Sequence, residues 1–193
     1  MASSSESNTP RTNVLVFMVD QLSAKWLETA QEGVVETPNI DRFCRMGTRF
    51  PNAITSNPVC CPARASLATG LSSRQHGLLQ NGYFLDPDLP TIGSVLQGKG
   101  YRTGAFGKIH LRPHYAGVNP DYAEYGFDAV HNTEDPRAGE WLDWVRAEHP
   151  EHYRAALATC WTPDIPQLSS YGPEGQDLAS QVRAARAEMD WTS

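Results

Sequence analysis

Cysteine is scarce in this chain and poorly spaced for cross-linking. Four thiols in 193 residues (Cys44, Cys60, Cys61 and Cys160, two of them adjacent) do not make the disulfide framework of a small secreted domain. No apolar run approaches the roughly 20 residues that a membrane span requires. The start, Met1 to Pro10, is Ser-rich and polar with no apolar segment, so it predicts a disordered tail over residues 1–12 and no secretory signal. Basic blocks are missing too. With a net charge of −6 and no Lys/Arg cluster, nucleic acid and anionic membranes are excluded as expected partners. Together these absences make the cytoplasm the default location. The length suits one domain, with room for a proper core.

The most informative stretch present is Asn57 to Gly70, Asn-Pro-Val-Cys-Cys-Pro-Ala-Arg-Ala-Ser-Leu-Ala-Thr-Gly. It predicts a turn into a helix, with Pro62 in the first turn, where its missing N–H costs nothing, and Gly70 as the stop. Backbone donors at that start and the Arg64 guanidinium would suit an anion, with a cysteine beside it. Equally, this is a helix start holding a buried thiol. Cys-x-Pro-x-Arg alone arises by chance in about one chain of this length in a hundred, so its flanks must carry the argument.

Those flanks read as an α/β pattern. Asn13 to Val19 is a continuous apolar run that predicts a strand buried on both faces of a parallel sheet, ending at Asp20-Gln21. A carboxylate at the end of such a strand lies where open α/β sheets bind ligands; an ordinary loop start is the other reading. A short helix is predicted over Trp26 to Gln31, and Thr37-Pro38-Asn39 caps another through Met46, stopped by Gly47, with Cys44 on its core side. Thr48 to Thr55 reads as a strand. Pro90-Thr91 opens a helix that ends at Gly98 or Gly100. Tyr101 to Phe106 reads as a second central strand, running out in Gly107-Lys108-Ile109-His110. Lys108 and His110 share parity and, if extended, point to one side, where they could hold an anion or donate a proton, or simply be solvated.

Further on, helices are predicted over Ala138 to Glu148 (Trp141, Leu142, Trp144 and Val145 inward), Glu151 to Thr159 and Gln176 to Met189, with Leu178, Val182, Ala185 and Met189 as the packing stripe. Pro163 to Gly175 reads as loop. His114, His131, His149 and His152 lack metal-ligand spacing and read as surface residues.

Taken in order, Asn-Val-Leu-Val-Phe-Met-Val-Asp-Gln (13–21), Thr-Pro-Asn-Ile-Asp (37–41), Cys-x-Pro-x-Arg-Ala-Ser-Leu-x-Thr-Gly (60–70) and Gly-Lys-x-His (107–110) resemble the type I sulfatases of the alkaline-phosphatase superfamily. The resemblance covers Asn13 to Leu111. Asp-Gln after the first strand, where many members carry two aspartates, is more similar to the choline-sulfatase and phosphonate monoester hydrolase side. It implies an α/β fold with a mixed sheet flanked by helices, here the N-terminal part of a catalytic domain over residues 13–193.

The resemblance implies hydrolysis of a small-molecule sulfate ester by a Cα-formylglycine made from Cys60. Cys60, not Cys61, has the family spacing to Pro62 and Arg64. A formylglycine-generating enzyme, or an equivalent maturase, is then an implied partner. Arg64 would orient the hydrated aldehyde, and Lys108 and His110 would contact the sulfate or the leaving oxygen. Asn81 stands about where the phosphonate hydrolases carry a pocket asparagine. The implied cofactor is a divalent metal, Ca2+ first, Mg2+ or Mn2+ otherwise, with oxygen ligands. Asp20 and the modified residue 60 match family ligands, while Gln21 stands where relatives place a second aspartate.

The later Asp-His or Asp-Asn segment of the family has no counterpart after Leu111. Asp128-Ala129, Asp143-Trp144, Asp164-Ile165, Asp177-Leu178 and Asp190-Trp191 all depart from it. The expectation is therefore a truncated sulfatase with an unpaired sheet edge and background turnover on its own. Two alternatives stand beside it: a phosphonate monoester or phosphodiester hydrolase of the same superfamily, and a non-catalytic remnant or subunit needing a complementing partner.

Overall fold

The structure, a computed structural model, describes residues 12–113, 121–134, 140–160 and 172–188, with backbone alone for 29–31 and 172–179. The tail over 1–11, His114, the first residues of the helix expected from Ala138, most of the loop expected over 163–175 and Met189 lie outside the described residues. The chain divides into two units, residues 1–54 and 55–193.

The first unit contains two helices, α1 (Ala24–Gln31) and α2 (Pro38–Met46). Both expected helices are present. Pro38 occupies the first turn of α2, and the Thr37 carbonyl accepts from the Asp41 N–H at 2.9 Å. Gly47 ends α2 in extended backbone, its N–H donating to the Phe43 carbonyl at 2.9 Å. No residue of α2 is buried, and Cys44 is exposed instead of lying in a core.

The strand expected over Asn13 to Val19 is not formed, and Leu15 and Phe17 are 89% and 86% exposed. A parallel strand buried on both faces exists only between hydrogen-bonded neighbours. Among the described residues the only strand pairing belongs to the second unit, and this run pairs with no strand. Thr48 to Thr55 likewise forms no strand, with Phe50 and Ile54 exposed.

The second unit begins with α3 (Cys60–Thr69), α4 (Ser73–His76) and α5 (Ile92–Gln97), followed by β1 (Gly104–Gly107), a 3-10 turn at Ala123–Tyr125 and β2 (Ala129–Asn132). β1 and β2 pair in parallel, Gly104 opposite Ala129 and Gly107 opposite Asn132. Asp128 secures this register from one residue before the ladder. Its Oδ2 accepts from the Thr103 N–H at 2.7 Å, and its Oδ1 accepts from the Gln97 amide at 2.6 Å. With the Thr103 hydroxyl, which donates to Oδ2 at 2.9 Å, these donors hold the Asp128 carboxyl below its usual range, the Thr103 N–H contributing most.

β2 was not foreseen from the sequence, because its four residues carry too little pattern. β1 is no central strand either: Phe106 is 70% exposed, and the strand has one neighbour among the described residues.

α5 starts at Thr91, whose Oγ1 accepts from the Ser94 N–H at 3.1 Å and also donates to the Tyr125 carbonyl at 2.6 Å. This cap therefore ties the helix to the turn before β2. Gly93 and Gly126 let the two backbones meet: a Cβ on Gly126 would stand 2.1 Å from the Ser94 nitrogen. Around this frame a core gathers Cys61, Ala65, Leu78, Leu85, Ile109, Leu111, Tyr122 and Tyr125.

A second core joins α6 (Glu140–Glu148), α7 (Pro150–Ala158) and α8 (Gly172–Glu188) through Leu142, Val145, Leu157, Cys160, Val182 and Ala185. These helices agree with the sequence reading, except that α8 begins at Gly172, inside the expected loop. Trp141 and Trp144, expected inward, are 39% and 51% exposed. Arg186 on α8 donates from Nε to the Ala158 carbonyl at 3.0 Å, satisfying an acceptor left over at the end of α7. His131 and His152 are exposed, as expected of surface residues. No helix among the described residues is long and apolar enough to cross a membrane.

Candidate active site

The site builds up from the start of α3. Val59 is the N-cap and has no side-chain acceptor, so Asn57 organises the approach instead. Its Oδ1 accepts from the Val59 N–H at 2.8 Å and its Nδ2 donates to Ser73 Oγ at 3.2 Å. Pro62 is the third helical residue, and Gly70 closes the helix in the left-handed conformation with φ 71°.

Helical spacing then separates the two cysteines. Cys61 and Ala65, four apart, form a fully buried stripe with Ala68 packed beside it. Cys60 and Arg64, also four apart, share the neighbouring face.

Cys60 is half-buried, and the Asn81 Nδ2 lies 3.7 Å from its Sγ. The same Asn81 accepts the Cys61 N–H on Oδ1 at 2.9 Å, so one amide bridges the first two residues of the helix. The Cys61 thiol faces the Tyr83 carbonyl at 3.6 Å. Burial, above all, and then the nearby negative charge of Glu134, push the Cys61 thiol up to about 12. A thiol held there stays protonated at neutral pH, which makes Cys61 packing and not chemistry.

Arg64 is 9% exposed and donates from its guanidinium to the Lys108 carbonyl. The α3 helix and the segment after β1 are thereby joined at one point. Gly107 ends β1 with φ 82°, and His110 has φ 54°, so Lys108 to His110 do not continue the strand. The shared parity expected of Lys108 and His110 does not apply, because the pleat stops at a left-handed glycine. Lys108 is half-buried and His110 buried. Cys60, Arg64, Asn81, Lys108 and His110 all belong to the second unit, where Asn81 bridges the start of α3 and the Lys108 carbonyl receives Arg64. Asp20 and Gln21 belong to the first unit and are exposed, and Gln21 has φ 58°.

Two groups escaped the sequence reading. Glu134, two residues past β2, is 4% exposed and accepts on Oε1 from the Ile109 and His110 N–H groups at 3.1 and 2.9 Å and from the Tyr122 hydroxyl at 3.1 Å. Burial raises its carboxyl above the usual value despite those donors. No motif marks it; the only signal was an acidic residue just before an Asp-Pro. His76, buried at the end of α4, accepts the Leu78 N–H on Nδ1 at 3.1 Å and sits 3.0 Å through Nε2 from Ser66 Oγ. It braces α3 against α4. Among the described residues no three His, Cys, Asp or Glu side chains converge to hold a metal ion.

Residues 12–172 match the family described as Sulfatase. The chain belongs to the sulfatase family. This sulfatase-family chain is 31% identical to the choline-sulfatase of Rhizobium meliloti over 184 residues, 90% of its own length and 34% of the relative's. It is 39% identical over 108 residues to the multifunctional alkaline phosphatase superfamily protein PehA of Trinickia caryophylli, covering 53% of this chain and 21% of that protein.

Among solved structures, the phosphonate monoester hydrolase of Agrobacterium radiobacter superposes with a TM-score of 0.56 at 27% identity, covering 76% of this chain and 30% of that one. The fold is thus the α/β architecture of an alkaline-phosphatase-like hydrolase, covered in part. The chain spans about a third or less of the length of these relatives, 34% at most.

Proposed function

We propose that this sulfatase-family hydrolase chain carries the nucleophile of a sulfuric ester hydrolase, Cys60 being converted to Cα-formylglycine. The observation that carries the reading is the division of labour between adjacent cysteines. Cys61 is sealed into the core, while Cys60 opens the helix against Asn81 and one turn before Arg64. The conversion matters because a hydrated aldehyde presents two hydroxyls: one attacks sulfur, and the other later expels sulfate by re-forming the aldehyde.

The remaining roles fall to residues of this chain. Arg64 supplies a fixed positive charge behind residue 60, Asn81 orients it, and Lys108 and His110 are the candidates to contact the sulfate and to protonate the leaving oxygen. A divalent cation, Ca2+ first, is the cofactor proposed on family resemblance, with the modified residue 60 as one oxygen donor. A maturase and a small sulfate ester are the partners this implies.

A phosphonate monoester is the second reading. It is favoured by the solved relative of that name and by Asn81 standing at residue 60.

The test is mass spectrometry of the Phe50–Arg64 tryptic peptide after co-expression with a formylglycine-generating enzyme. Formylglycine or its hydrate at residue 60 is expected, retained in Cys61→Ala and absent in Cys60→Ala. An intact thiol at residue 60 beside a competent maturase would sink the proposal.

A further inference from the structure

Glu134 holds a position that packing alone does not account for. A buried carboxylate is costly, yet this one concentrates three donors on a single oxygen, and among the described residues its Oε2 is buried with no hydrogen-bond partner. Two of the donors are consecutive backbone amides, those of Ile109 and His110 at 3.1 and 2.9 Å. His110 carries a Cβ and still adopts φ 54°, a left-handed conformation that persists only where surrounding contacts over-determine it. The carboxylate is one such contact, since successive N–H groups curled toward one point form a concavity for an anion. On the other side of the same turn, the Lys108 carbonyl receives Arg64.

We infer that Glu134 is a positioning residue of the site: its Oε1 clamps the Ile109 and His110 amides and so sets the turn that presents Lys108 and His110. The inference rests on the reading of Lys108 and His110 as groups that meet the substrate. Glu134 touches no substrate itself and acts through the backbone of the two residues it holds. Tyr122, donating its hydroxyl at 3.1 Å, fixes the carboxylate from behind.

The test uses the full 193-residue chain as wild type, Glu134→Gln and Glu134→Ala, followed by NMR. One readout is hydrogen exchange at the Ile109 and His110 amides, with the α6–α8 amides as internal control. The other is a titration with inorganic sulfate, read at Lys108 and His110. Loss of hydrogen bonds to a charged acceptor predicts that Glu134→Ala speeds exchange at these two amides by about tenfold or more and weakens sulfate binding by a similar factor. Glu134→Gln keeps an acceptor oxygen and is expected to stay within about threefold on both.

Unchanged exchange in Glu134→Ala overturns the clamp. Faster exchange with unchanged sulfate affinity overturns the positioning role. If Glu134→Ala fails to fold, Glu134→Gln decides: protection and affinity both kept support the inference, whereas affinity lost with protection kept assigns the effect to charge and defeats it. A wild-type chain whose Lys108 and His110 ignore sulfate defeats the sulfatase reading of that turn, and the inference with it. Sulfate binding that neither variant alters defeats the role of Glu134 alone.

Discussion

Gly126→Ala tests whether the backbone contact between α5 and the turn before β2 holds this frame together. Two costs add at this position. Gly126 has φ 80°, where a Cβ costs about 1 kcal/mol in a left-handed conformation. The new methyl would also stand 2.1 Å from the Ser94 nitrogen and 2.4 Å from its Cα, atoms of a helix turn already fixed by the Thr91 cap. Backbone cannot rotate aside as a side chain can, so α5 must move, and overpacking of this kind costs about 1–3 kcal/mol. The expected loss is therefore about 3 kcal/mol, a large share of the roughly 5–15 kcal/mol that hold a domain.

Gly70→Ala is the matched control. Its φ is 71°, but nothing lies within 4 Å of the added Cβ, so only the conformational part, about 1 kcal/mol, is expected. Urea unfolding followed by circular dichroism measures both variants, with unchanged m-values as the condition for comparing midpoints. Equal losses from the two substitutions would refute the contact, because they share the backbone conformation and differ only in what the methyl meets.

Other outcomes follow from the same geometry. At pH 8 a thiol pushed up to about 12 is ionised to about one part in ten thousand, so timed alkylation should label Cys60 at least about 100 times faster than Cys61; comparable rates would contradict the burial of Cys61. His76 is held below its ordinary value of 6.5, chiefly by burial, so the unfolded chain takes up the proton first. The stability it contributes is present above about pH 6.5 and is lost as the pH falls from there through its folded value. Unfolding midpoints from pH 7.5 to 5.5 should therefore drop more in wild type than in His76→Gln, and parallel drops would count against the assignment.

Much of the site was legible as residue types at set spacings. Cys60, Pro62, Arg64 and Gly70 lie within eleven residues of one helix and its cap, where local geometry follows from sequence alone. Lys108-x-His110 after a strand was legible as a pair. Its conformation was not, because the positive φ of His110 depends on Glu134, 24 residues on. That Cys60, not Cys61, has the family spacing to Pro62 and Arg64 was legible in the sequence. That Cys61 is sealed followed only once Leu78, Leu85 and Ile109 came together around it.

The N-terminal run shows the opposite failure. Asn13 to Val19 has the composition of a buried strand, and composition says what a segment suits without supplying a neighbour. A strand is completed by hydrogen bonds to another segment, whereas a helix is completed by its own, which is why α1, α2, α3 and α5 to α8 were foreseen and the strand over 13–19 was not formed. By itself the sequence determined the family, through the order of its motifs, and the helices other than α4, which rest on contacts a few residues apart. Only the tertiary structure decided the β1–β2 register through Asp128, the burial that divides Cys61 from Cys60, and the carboxylate of Glu134 on the Lys108–His110 turn. Each of these depends on segments distant in sequence coming together, and for Cys61 and Glu134 burial then sets both packing and proton affinity.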